Sequence, residues 1–283
     1  MKMKQLLKKY LVKKEIHKVT IPCIEGHFLD DKKALITGGS SGIGYAIAQS
    51  FLKNGVSSVV LCGRNQEKLK KAQEKLRREC NCSEEHIQIL QFDISDISGM
   101  TRILSEFLSH ESNGIDVFVN NAGINGGSSF PNTTEEEFDE IIDINLKGMY
   151  FISQIMADYM VSHNIQGNIL NITSSSALRP ANTPYIVSKW GERGLTLGMA
   201  KKYLPYGIVV NGLAPGPTMT PMMKAEDNVN LCLDYSPSGR YATPEEMGNL
   251  ATILVSNMGR MIVGDTVYAT GGAGVITYDD ASY

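Results

Sequence analysis

The sequence predicts an α/β fold: a doubly wound parallel sheet of about seven strands, with helices on both faces. Three observations carry that prediction. Short apolar, β-branched runs recur along the chain, at Ala34–Thr37, Ser58–Cys62, Ile87–Phe92, Ile115–Asn120, Asn168–Ile172, Ile208–Asn211 and Thr266–Ala269. Between them lie amphipathic stretches of helical length. A glycine cluster joins the first run to the first of those stretches. Strands that alternate with helices pair in parallel, and their crossovers cover both faces of the sheet.

Taken in order, Tyr45–Leu52 reads as the first helix, closed by Asn54-Gly55. Gln66–Glu79 and Met100–His110 read as the second and third. A long helical stretch from about Thr134 to Val161 is opened by Glu135-Glu136-Glu137, acids that suit the positive end of a helix dipole. Ser188–Tyr203 and Pro244–Ser256 supply the remaining helices. Residues 1–20 differ in kind: seven lysines stand against the single acid Glu15, with Leu6, Leu7, Tyr10, Leu11 and Ile16 between them. They are expected to form an added segment that packs on its own or a neighbouring subunit. The division is therefore a basic extension over 1–30 and one domain over 31–283.

Composition narrows the function. The chain has 283 residues, enough for a substantial core, and a formal net charge of −3, which offers no field to attract nucleic acid. The five cysteines are an odd number and fall in no metal-ligand spacing, so reduced thiols and a cytoplasmic location are expected, without a metal site. No apolar run reaches the length of a membrane span.

Two stretches carry chemistry. Thr37-Gly38-Gly39-Ser40-Ser41-Gly42-Ile43-Gly44 lies between the first strand and the first helix. Gly38 and Gly39 are expected to take the positive φ of a tight turn, Gly42 to let backbone approach a phosphate, and Gly44 to let helix and strand pack. A helix N-terminus at that point presents free amides to a pyrophosphate. At the end of the second strand, where a carboxylate would receive the ribose 2′-hydroxyl of NAD, the chain has Gly63-Arg64. A guanidinium holds a 2′-phosphate, so NADP(H) is expected, with NAD(H) as the alternative. Asp93 past the third strand and Asn120-Asn121-Ala122-Gly123 past the fourth are placed to meet the adenosine half. The second stretch is Tyr185-x-x-x-Lys189. On a helix these residues lie one turn apart on one face, and an ammonium beside a phenol favours the phenolate. The pair suits proton transfer at a carbonyl or alcohol.

These motifs, in this order, resemble the short-chain dehydrogenase/reductase family over roughly residues 32–275, and a Rossmann-type domain is implied. Asn145, the serine run after the fifth strand, Pro215-Gly216, Thr220 and Thr270-Gly271-Gly272 also match. The resemblance implies a catalytic tetrad of Asn145, Ser174, Tyr185 and Lys189. Tyr185 would exchange a proton with the substrate oxygen while hydride passes to or from the nicotinamide. Lys189 would tune it and hold the ribose, Ser174 would orient the substrate, and Asn145 would anchor a relaying water. Ser174 lies closer to the tyrosine than the family pattern has it, which leaves Ser175 and Ser176 as rivals. The resemblance further implies cofactor contacts from Gly38, Ser40, Ser41, Ile43, Gly44, Arg64, Asp93, Ile94, Asn121, Ala122, Gly123, Tyr185, Lys189, Pro215, Gly216, Thr218 and Thr220. It implies a substrate lid over about 217–241, rich in methionine, and a homotetramer or homodimer. The expected function is an NADP(H)-dependent oxidoreductase for a small-molecule carbonyl or secondary alcohol. The alternatives are a 3-oxoacyl-thioester (acyl carrier protein) reductase and, in another class, a dinucleotide sensor without chemistry.

Overall fold

A computed structural model describes Ile16 and residues 25–111, 114–220 and 230–276. Seven strands form one parallel sheet: β1 (Lys33–Thr37), β2 (Ser58–Gly63), β3 (Ile87–Gln91), β4 (Val117–Asn120), β5 (Asn168–Ile172), β6 (Val209–Pro215) and β7 (Thr266–Ala269). Their spatial order is β3-β2-β1-β4-β5-β6-β7. The strand order reverses between β1 and β4, and the carboxyl ends flanking that point form a crevice suited to a nucleotide.

The sheet is buried on both faces because its strands alternate apolar residues between two cores. Ala34 and Ile36 of β1, with Val117 and Val119 of β4, join one core with Phe51, Leu69, Leu76, Met247 and Leu254. Leu35 and Phe118 point the other way and join Met100, Leu104, Ile152, Met156 and Met160. The first core is covered by α1 (Gly42–Lys53), α2 (Gln66–Cys80) and α7 (Pro244–Val255). The second is covered by α3 (Ile97–His110), α5 (Met149–Ser162) and α6 (Pro184–Tyr203). Between β4 and α5 runs the short α4 (Glu135–Ile142).

Side-chain caps account for two of the boundaries that periodicity misplaces. The third helix starts at Ile97 and not Met100, because the Asp96 carboxylate accepts from the Gly99 amide. α6 starts at Pro184 and not Ser188: Thr183 Oγ1 accepts from the Ile186 amide, and proline fits the first helical position. That correction puts Tyr185 inside the first turn. β4 begins at Val117 and not Ile115, since its ladder to β1 opens with Ala34 opposite Val117. β6 runs to Pro215, four residues beyond Asn211, and carries the chain directly to the crevice. The long helix expected from 134 to 161 is continuous in path but not in type. Asp143–Gly148 forms a π-helical segment between α4 and α5.

A buried polar chain ties the sheet to the helices beneath the crevice. Asn120 Nδ2 donates to Ser153 Oγ of α5 at 2.7 Å and to Asn171 Oδ1 of β5 at 3.1 Å. Asn171 Nδ2 donates to Thr196 Oγ1 of α6, which donates to the Glu192 carbonyl. Asn171 lies within β5, in the strand run the sequence predicts, and pins α6 to it. The Ile16 amide donates to Asn230 Oδ1 at 2.8 Å, and the Leu231 amide donates to the Ile16 carbonyl at 2.7 Å. The expected basic stretch 1–20, apart from Ile16, and Met222 and Met223 of the expected lid lie outside the described residues. Among the described residues no helix is long and apolar enough to cross a membrane.

Candidate active site

The carboxyl ends of the strands enclose a cavity of about 460 Å³. Its floor is the glycine loop. Gly38 takes φ +65°, as expected, but the second left-handed residue is Gly42 at +57°, not Gly39. Gly39 is needed for room instead: a Cβ there would meet a Leu61 methyl at 2.9 Å. Asn121 secures the loop from β4, its Nδ2 donating to the carbonyls of Thr37 and Gly38 at 3.0 and 3.2 Å. Thr37 Oγ1 accepts from the amides of Asn121 and Ala122. A Cβ on Gly44 would lie 2.4 Å from Asn121 Nδ2 and 2.5 Å from the Gly38 carbonyl oxygen. Gly44 therefore permits this packing and does not itself line the cavity.

The cavity suits a dinucleotide. Ser41 occupies the N-cap of α1 yet makes no side-chain cap bond, so the first-turn amides keep their donors for an anion. Ser40, Ser41 and Ile43 line the wall beside them, with Arg64, Asp93, Ile94, Asn121, Ala122 and Gly123. Pro215, Gly216, Thr218 and Thr220 line the side below β6. The Asp93 carboxylate is partly engaged by the Ser95 amide and hydroxyl. Lys68, in the first turn of α2, reaches the same wall near Arg64, a second cation that the sequence reading did not place. It lies four positions after Arg64, and its own amide donates to the Asn65 Oδ1 that caps the helix between them. Among the described residues no cluster of potential metal ligands occurs.

Tyr185, Lys189 and Ser174 line the other half of the cavity. Lys189 Nζ stands 5.4 Å from the Tyr185 ring centroid. Ser174 caps the 3-10 turn Ser175–Leu178, accepting from the Ser176 amide, and of the three serines it alone faces the cavity. Asn145 is buried in the π-helical segment, behind the cavity wall. Its Oδ1 accepts from the Ile124 amide at 2.8 Å, and its Nδ2 donates to the Ile124 carbonyl at 2.9 Å and to Ser188 Oγ at 3.2 Å. Ser188 Oγ in turn donates to the Tyr185 carbonyl. The amide group of Asn145 is thereby committed to clamping the post-β4 loop against the start of α6. The sequence reading missed Glu192, which is buried against Lys189. Burial works against the Lys189 ammonium, but the Glu192 carboxylate and the Tyr185 oxygen outweigh it and hold the group above its ordinary value.

A crevice of this kind, at the switch point of a parallel sheet and floored by a glycine turn, defines a Rossmann-type nucleotide-binding protein. The short chain dehydrogenase family model matches residues 32–230, and the chain belongs to that family, whose members are NAD(P)(H)-linked oxidoreductases acting on CH–OH and C=O groups. It is 32% identical over 249 residues to a 3alpha-hydroxysteroid dehydrogenase of Mediterraneibacter gnavus, covering 87% of this chain and 98% of that one. It is 35% identical to a 3-oxoacyl-acyl-carrier-protein reductase of Chlamydia muridarum, covering 86% and 98%. Among solved structures, a gluconate 5-dehydrogenase from Burkholderia cenocepacia, in complex with NADP and tartrate, superposes with a TM-score of 0.77 at 30% identity, covering 87% of this chain and 96% of that one.

Proposed function

We propose that this protein is an NADP(H)-dependent oxidoreductase that interconverts a carbonyl and a secondary alcohol, with Tyr185 as the general acid/base. The observation that carries the reading is the sharing of one cavity by the Tyr185–Lys189 pair and the glycine loop. When bound, the nicotinamide supplies or accepts the hydride. Tyr185 gives its phenolic proton to the substrate oxygen in reduction and takes it back in oxidation. Lys189 keeps a positive charge beside that phenol. Ser174 Oγ hydrogen-bonds the same substrate oxygen and fixes its direction. Asn145 holds the wall that meets the substrate, through Ile124. The intact pair favours chemistry over dinucleotide sensing.

Arg64 and Lys68 support the phosphate form of the cofactor, since together they offer two cations where NAD would need a carboxylate. Arg64→Ala and Lys68→Ala are each expected to weaken NADPH binding by about tenfold, or ~1.4 kcal/mol, while NADH binding changes little. A fluorescence titration of both cofactors checks this; equal losses for both would remove the 2′-phosphate assignment. The function itself is tested by a panel of steroid, sugar-acid and 3-oxoacyl thioester substrates, with small ketones added, followed by nicotinamide absorbance. Turnover of at least one, preferring NADPH, is expected. Cytoplasmic location, the lid over 217–241 and a homo-oligomer built through the long helices belong to the same proposal.

A further inference from the structure

The strongest unassigned feature is a buried carboxylate inside the candidate machinery. Glu192 follows Lys189 by three residues on α6, and its Oε1 and Oε2 lie 2.8 and 3.0 Å from Lys189 Nζ. The two side chains are only 2% and 7% exposed. An ammonium has three protons to place. Glu192 takes one direction, the Ile172 carbonyl at 3.5 Å another, and the remaining direction is free for the cavity that Lys189 lines. A lysine on a flexible four-carbon stem is thus aimed by its neighbour. The neighbour also carries a charge of opposite sign, which offsets the field that the ammonium exerts on Tyr185.

We propose that Glu192 is a positioning residue: it aims the Lys189 ammonium into the cavity and, by partly neutralising it, sets the pH range in which Tyr185 exchanges its proton. The inference rests on the function proposed above for this cavity. Among the described residues no third charge competes with the pair. β5 and β6 present neutral side chains, and the 3-10 turn after β5 holds only serines, an alanine and a leucine. Asp143 and Lys147 of the π-helical segment bind each other at the surface, at 3.0 Å. On α4, Glu135, Glu136, Asp139 and Glu140 are exposed and Glu137 is held by Ser128; Asp158 of α5 is exposed. Burial, opposed by Lys189, raises the Glu192 carboxyl to about 7, so it is charged at the mildly alkaline pH where alcohol oxidation is measured.

The test is Glu192→Gln, which keeps an acceptor for Lys189 and removes the charge. The acid limb of the pH profile of alcohol oxidation is expected to move about one unit to lower pH. Glu192→Met, neutral and of similar size, is expected to move it the same way. Glu192→Asp is expected to keep the wild-type profile while raising the KM for NADPH, because its shorter arm aims Lys189 less well. An unmoved profile in both neutral variants overturns the inference, whatever happens to kcat or Tm. A readout without turnover separates this from the function proposed above. The tyrosinate ultraviolet difference titration, with Tyr185→Phe subtracted, is expected to show its step at lower pH in Glu192→Gln than in wild type. If that step moves in a protein that turns over no substrate, the proposed function fails and the inference about Glu192 stands. If turnover is present and the step does not move, the inference fails alone.

Discussion

Tyr185→Phe is expected to lower kcat/KM for any substrate of this protein by roughly 10²–10⁴-fold, the usual worth of a positioned acid/base. The change removes one oxygen and leaves the ring. Tyr185 sits in the first turn of α6, whose start is fixed by the Thr183 cap and whose backbone is held by Ser188, and neither depends on the phenol. Tm and NADPH affinity are therefore expected to stay near wild type. That combination identifies a group whose contribution is made in the transition state and not in binding. Retention of more than a tenth of the wild-type rate would assign the proton transfer to another group.

Gly44→Ala is expected to weaken NADPH binding about a hundredfold, ~2.7 kcal/mol, and to cost roughly 1–3 kcal/mol of stability. The new methyl would overlap both Asn121 Nδ2 and the Gly38 carbonyl. One of those neighbours is backbone, so relief requires moving the loop itself. Moving it breaks the two bonds from Asn121 that hold the turn against β4. The α1 amides then point away from the pyrophosphate they are meant to receive. Cofactor titration and a denaturant melt measure the two losses separately. Binding within threefold of wild type would mean that the loop is not the phosphate site.

The fold was legible because its signals are local. β1 and β4 alternate at period two, the helices carry caps, and the glycine turn sits at a strand end. Tyr185 and Lys189 were legible for the same reason, as i and i+4 on one turn. What escaped depends on tertiary neighbours. The π-helical segment holding Asn145 is a local widening of the helix that side-chain periodicity does not encode. Glu192 and Arg193 in sequence look like an ordinary solvated helix face, yet α6 turns Glu192 inward, where it pairs with Lys189. Lys68 reads as one of several lysines on a charged helix until the Asn65 cap aims the first turn at the crevice. That Ser174, and not Ser175 or Ser176, lines the cavity follows from the geometry of a single 3-10 turn.

The contact between Ile16 and the Asn230–Leu231 segment joins residues 214 positions apart in sequence. Closing so long a loop costs entropy that two hydrogen bonds, each worth about 0.5–1.5 kcal/mol, repay only after the sheet has brought the ends together. During synthesis Ile16 thus waits for Asn230 and Leu231 to emerge. β1, α1 and β2, which are neighbours in sequence, have no such wait.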